Sequence, residues 1–203
     1  MLTVIKNIPD IGKNPLNYVF ENIIYKHEPN TLWLEFGVAS GKTINYISTY
    51  TNDIVYGFDT FTGLPERWRD GFDKGAFNQN GEFPMVNDNI TLIKGLFSDT
   101  LENFIINHNQ KVSFIHIDCD LYSSTKCIFN ILKSYICEGC IIIFDELVNY
   151  YGYDGNTGEL LAFYEFIEEN NVKYEWIGMN GIPTNMGCYR THQSVAVRIL
   201  SIS

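Results

Sequence analysis

The 203-residue chain has no apolar run near the ~20 residues that a bilayer-spanning helix needs; stretches such as Ile141–Phe144 are far too short. Met1–Pro15 has neither the charged start nor the apolar stretch of a secretory leader, so a cytoplasmic protein with no membrane partner is expected. Positive charge is scarce too. Fourteen Lys plus Arg against 24 Asp plus Glu leave a formal charge of −10, spread along the chain, and a field of that sign repels phosphate backbones. Nucleic acid is therefore not an expected partner. The five cysteines, Cys119, Cys127, Cys137, Cys140 and Cys188, lack zinc-finger spacing, and the C-x-x-C of Cys137 and Cys140 has no second pair to complete a tetrahedral site. They read as thiols in a reducing compartment. Repeats, low-complexity tracts and linkers are missing as well.

What is present suffices for one domain: 45% of the residues are hydrophobic and 15% aromatic. Strand and helix periods alternate. Asn14 and Pro15 open a helix whose Leu16, Val19, Phe20, Ile23 and Ile24 fall on one face, an amphipathic stripe that covers the sheet and leaves a homodimer open as well. Strands are expected at 31–36, 54–58, 90–94, 112–117, 140–144, 174–179 and 194–200. Helices are expected at 42–50, 100–106, after a Ser123 or Ser124 cap, and at 159–169. The reading is a single domain over 1–203, with a helical extension at 1–30 and a doubly wound, Rossmann-like α/β core from 31 on, its sheet covered by helices on both faces.

In such sheets ligands bind beyond the carboxyl ends of the strands, and here those ends are acidic. The first runs into Glu35-Phe36-Gly37-Val38-Ala39-Ser40-Gly41, the second ends at Asp59, the fourth at Asp118-Cys119-Asp120, and the fifth at Asp145-Glu146. Gly37–Thr43 reads GVASGKT but is not a phosphate-binding P-loop. That motif needs four residues between its glycines, and here Val38, Ala39 and Ser40 make three. The G-x-G-x-x-G of dinucleotide folds is missing too. An E-x-G-x-x-x-G turn with an acid 18 residues beyond its second glycine suits a ligand without phosphates. In this reading the glycines allow close backbone approach, Glu35 meets a cationic group, and Asp59 accepts both hydroxyls of a ribose.

Four blocks carry a resemblance: Glu35–Thr43, Gly57–Glu66, Lys94–Leu101 and His116–Thr125. In that order they resemble the class I S-adenosylmethionine-dependent methyltransferases, and within them the macrocin O-methyltransferase-like group, from about residue 31 to about residue 170. The resemblance implies a mostly parallel seven-stranded sheet with the last strand antiparallel. It also implies S-adenosylmethionine as cofactor, with Glu35, Gly37, Ser40 and Gly41 on its methionine part and Asp59 and Thr60 on its ribose. Gly95, Leu96 and Phe97 would line the adenine pocket, and Asp118 would stand beside the cofactor.

Asp118, Asp120, Asp145 and Glu146 follow two strands that are neighbours in this topology, and a divalent cation would relieve their repulsion. All-oxygen ligation favours Mg²⁺, with Ca²⁺ or Mn²⁺ as alternatives. The resemblance implies Asp118, Asp145 and its successor, Glu146, as ligands, and Asp120 as the catalytic base. The expected activity is metal-assisted O-methyl transfer to a hydroxyl of a small molecule or sugar. Two other readings are weighed beside it: the D-x-D of a metal-dependent glycosyltransferase at Asp118-Cys119-Asp120, and an inactive cofactor-binding module. Loops at about 60–88 and 148–158 are long enough to form a lid and acceptor pocket, with Arg67 or Arg69 touching an acidic or glycosylated acceptor. His116, inside a buried strand, reads as a core group rather than a base.

Overall fold

The structure is a computed structural model that describes residues 5–23, 30–184 and 192–203; Ile24 of the expected first helix and Cys188 lie outside them. Seven strands form one sheet: β1 (Thr31–Phe36), β2 (Val55–Asp59), β3 (Ile90–Lys94), β4 (Lys111–Ile117), β5 (Ile136–Phe144), β6 (Lys173–Met179) and β7 (Val195–Ser201). Their order is β3-β2-β1-β4-β5-β7-β6. The first five pair in parallel, and β7 runs antiparallel to both β5 and β6, as expected.

Parallel strands joined by helical crossovers are covered on both faces, hence the buried run Val112–Ile117 of β4 and the apolar run Cys140–Phe144 of β5. On one face Leu34, Ile115 and Ile142 pack with α3 (Phe97–His108), α4 (Tyr122–Leu132) and α5 (Gly158–Glu169). There the rings of Phe129 and Phe166 stack at 4.4 Å and 7°. The other face buries Trp33, Phe114 and Ile141 under α1 (Pro15–Asn22) and α2 (Lys42–Ser48). Asn14 caps α1, accepting from the Asn17 amide at 3.2 Å, with Pro15 in the first helical position.

Several expected boundaries move, among them the start of β5, at Ile136 rather than Cys140, and the end of α2, at Ser48 rather than Tyr50. α3 starts at Phe97, three residues before Thr100, because Leu96 supplies an extended N-cap backbone without a capping side chain that would mark it in sequence. Neither Ser123 nor Ser124 caps α4, whose cap is Leu121. The Ser123 hydroxyl instead donates to Glu66 at 2.6 Å, tying the helix to the loop over the sheet's edge. Among the described residues no helix is long and apolar enough to cross a membrane.

Candidate active site

The ladder continues one residue past the strands. Gly37 N–H donates to Phe58 O (2.9 Å), Asp118 N–H to Phe36 O (2.8 Å) and Asp145 N–H to Ile117 O (2.9 Å), so the ends of four strands, β2, β1, β4 and β5, form one rigid rim. Gly37 is required there. Its φ is +91°, and a Cβ would stand 1.7 Å from the Asp118 carbonyl oxygen, so any side chain would push the β1 and β4 ends apart. Above the rim lies a cavity of about 330 Å³. One end is walled by Gly37, Asp59, Thr60, Leu96 and Phe97, the other by Asp118, Asp120, Asp145 and Glu146.

Four expected cofactor residues stand outside this wall. Glu35 is fully buried, with its Oε1 2.9 Å from Nδ1 of His116, the residue opposite it in the β1–β4 register. Glu35 stands outside the cavity wall with its side chain turned to His116, which is itself buried in the core. Burial alone would lower the His116 pKa, but the Glu35 bond and charge, with Asp118 and Asp145 nearby, raise it to about 9. Ser40 is exposed on the flank of the turn, and Gly41 is the N-cap of α2 facing Pro84. Gly95 lines an adjoining pocket with Thr60 and Leu96.

Asp59 has a second task that spacing did not reveal. Its Oδ2 accepts from the Val38 and Ala39 amides at 2.9 and 2.8 Å, and its Oδ1 from the Phe61 amide at 2.7 Å. A carboxylate offers about four lone-pair sites, so about one remains for a ribose hydroxyl.

At the other end, ligand-capable oxygens of Asp118, Asp145 and Glu146 lie within 4.8 Å of one another. Glu146 Oε2 is buried without a hydrogen-bond partner. Burial, then the Asp145 charge, raises the Asp118 pKa to about 8; burial does the same to Asp120, to about 7, against the pull of Arg69. At an effective dielectric of about 20, two carboxylates this close repel by about 3 kcal/mol. An all-oxygen set with an orphaned oxygen and mutual repulsion fits a hard divalent cation.

Asp120 stands apart from this triad. It is the apex of a three-residue turn, with Leu121 N–H donating to Cys119 O at 2.6 Å and φ at +63°, in the left-handed region that costs a non-glycine residue about 1–2 kcal/mol. The turn lifts its carboxyl off the end of β4.

Glu159, at the start of α5, was not singled out in the sequence, where an acid in a first helical turn looks ordinary. It is fully buried, neither oxygen completes a hydrogen bond, and burial followed by the charges of Asp120, Asp118 and Asp145 raises its pKa strongly.

The 60–88 loop is folded over the cavity. Gly63, Leu64, Pro65 and Phe77 join its wall, and Trp68 packs on Tyr150 with ring centroids 5.7 Å apart. The loop holds itself together through Arg67, paired with Asp70 and, at 3.3 Å, with Asp73. The four loop residues were missed because only tertiary packing brings them to the rim.

Solved structures share the fold. The O-methyltransferase NovP matches with a TM-score of 0.61 at 19% identity, over 92% of this chain and 78% of its own. CalS11, described as a TDP-rhamnose 3′-O-methyltransferase, matches with a TM-score of 0.54 at 19% identity, over 90% of this chain and 75% of its own. An O-methyltransferase from Bacillus cereus, solved with S-adenosylhomocysteine, matches at 0.50 and 16%, over 83% and 73%. No curated protein sequence matches. The profile of the methyltransferase domain family matches residues 34–147, from β1 through the acidic end of β5, which includes both ends of the cavity wall and takes support from the glycosyltransferase reading of Asp118-Cys119-Asp120. With more than half of its length so matched, the chain belongs to the methyltransferase domain family.

Proposed function

We propose that the protein transfers a methyl group from S-adenosylmethionine to a hydroxyl of a small molecule or sugar, with a divalent metal held by Asp118, Asp145 and Glu146. One observation carries this reading: a single cavity joins a glycine turn clamped by Asp59 to an unpaired carboxylate triad, with Asp120 beside both. NovP and CalS11 are named for O-methyl transfer, which supports oxygen as the acceptor.

The chain's residues divide the work. Gly37 and the Asp59-clamped turn admit the amino-acid part of the cofactor against bare backbone, Asp59 and Thr60 stand where its ribose would lie, and Leu96 and Phe97 take the adenine. Gly95 supports them from the adjoining pocket. S-adenosylmethionine supplies a methyl on a sulfonium, which leaves as a neutral thioether. A divalent cation held by Asp118, Asp145 and Glu146 would supply the charge that lowers a hydroxyl's pKa. Asp120, off the triad but in the same wall, takes the hydroxyl proton as the oxygen bonds to the methyl carbon. The 60–88 loop, and the 148–158 loop on which Trp68 rests, act as lids that exclude water, within a single domain.

Calorimetric titration with S-adenosylhomocysteine tests the cofactor; no binding at millimolar ligand would end this reading. Turnover with excess EDTA tests the metal: full activity would remove it from the mechanism.

A further inference from the structure

The lid carries two arginines with opposite surroundings. Arg67 is exposed and satisfied by Asp70 and Asp73. The Arg69 side chain has no hydrogen bond or ion pair among the described residues, although the chain has ten more acids than bases, and its Nε is buried without a partner. Its guanidinium carbon sits 4.1 Å from the ring centre of Trp68 and 4.1 Å from that of Phe72. The two rings, themselves 5.3 Å apart and at 64°, meet the group from adjacent sides and hold it in a corner of the lid.

The clamp stands at the seam between lid and rim. Trp68 rests on Tyr150, whose hydroxyl is buried without a partner. A Cβ on Gly158 would lie 2.6 Å from that hydroxyl and 3.8 Å from the Asp120 carbonyl oxygen, so the Tyr150 ring reaches under the lid to the Asp120 turn. Arg69 is also the cation whose charge acts on Asp120 and on Tyr150.

A guanidinium packed against two rings, with one N–H buried and unpartnered, costs free energy unless a ligand completes it. Asp120 is not that partner, since no ion pair joins the two. We propose that Arg69 is the acceptor's anchor: it takes a carboxylate on the same molecule as the hydroxyl presented to Asp120, so the substrate class is a hydroxylated carboxylic acid. The edge of a planar fork matches the two oxygens of a carboxylate. A phosphate, with more charge to offset, suits a site with further cations, and among the described residues Arg69 is the cation that acts on Asp120 and Tyr150.

This inference rests on the methyl-transfer reading above, and its test keeps the two apart. The protein with Mg²⁺ and S-adenosylhomocysteine is titrated with matched pairs: 3,4-dihydroxybenzoate and its amide, glucuronate and glucuronamide, and glucose 6-phosphate and glucose. At least one carboxylate should bind about tenfold or more tightly than its amide, as charge-assisted bonds imply. It should also move the Arg69 Nε–H signal in the ¹⁵N NMR spectrum. Arg69→Gln should bring that preference to below about twofold, and Arg69→Lys, which keeps charge but not the fork, should retain part of it. Unchanged S-adenosylhomocysteine affinity in both variants shows that they are folded. The proposal is overturned by equal affinities within every pair, by a preference that survives Arg69→Gln, by a preference confined to the phosphate, or by an Arg69→Gln loss equal for acid and amide, which would make Arg69 a steadying charge for Asp120 alone. Failure of S-adenosylhomocysteine itself to bind would instead overturn the cofactor reading and leave the acid-versus-amide comparison to be read without it.

Discussion

At the Gly37 end of the cavity Asp59 gives its carboxylate to three backbone amides, whereas at the Asp145 end Glu146, Glu159, Tyr150 and Arg69 all bury polar atoms without partners. The two ends share one rim and one wall. The first holds its shape alone and can receive a ligand with little rearrangement. The second is self-repelling, and folds around charges that only a cation and an acceptor would balance. Binding at the first end should therefore survive many substitutions at the second, but not the reverse.

The largest effect should come from joining the two ends in one failure. Gly37→Ala places a methyl against the Asp118 carbonyl and should destabilise the fold by about 3 kcal/mol or more, with loss of both cofactor and metal affinity. Thermal melts and calorimetry would show it, and retention of either affinity would mean that the ends move independently.

Asp120→Asn should sharpen the contrast. It keeps shape and tolerates the left-handed backbone, so kcat should fall by about 10² to 10⁴ while S-adenosylhomocysteine affinity stays within about twofold. An unchanged rate would remove the need for a protein base. Asp145→Ala should lower Mg²⁺ affinity by about tenfold or more and leave the cofactor affinity intact, measured by titrating Mg²⁺ into activity assays.

The metal-free protein should also show the self-repulsion as a pH effect. Asp118 ionises at about 8 in the fold against 3.8 ordinarily, so the folded chain keeps a proton that the unfolded chain releases. That contribution is complete below about pH 4 and is lost as pH rises through about 8. Melting temperatures of the EDTA-treated protein should fall across that window and Mg²⁺ should restore them most at the alkaline end; a rise with pH would contradict the assignment. The smallest effect is expected from Glu159→Gln. Burial raises the Glu159 pKa strongly and so disfavours its charged form, and a neutral amide of the same shape should change stability by about 0.5 kcal/mol or less.

Much of this was legible before any coordinates. β3 falls at the expected residues, and the acids of the rim stood out because each closes an apolar run. Glu35 did not yield to the same logic. Its position in the motif marked it as a ligand, and only the register that sets His116 opposite it shows that the pair is internal. Arg69 and Arg67 look alike in sequence; what separates them is which side chains the lid folds against. Asp59 was read as a ribose acceptor, and its clamp on the glycine turn depends on amides 20 and 21 residues away.

Asp120 occupies a backbone conformation in which glycine rests without penalty. Asp120→Gly should therefore relax the turn, offsetting part of what a glycine loses in the unfolded state, while leaving the acceptor hydroxyl with no base. Backbone strain and activity pull in opposite directions at this one residue. In a lineage released from its acceptor, drift to glycine would be tolerated here earlier than at Asp59, whose loss would undo the turn itself, so the residue at position 120 serves as a marker of whether a relative is still under selection for turnover.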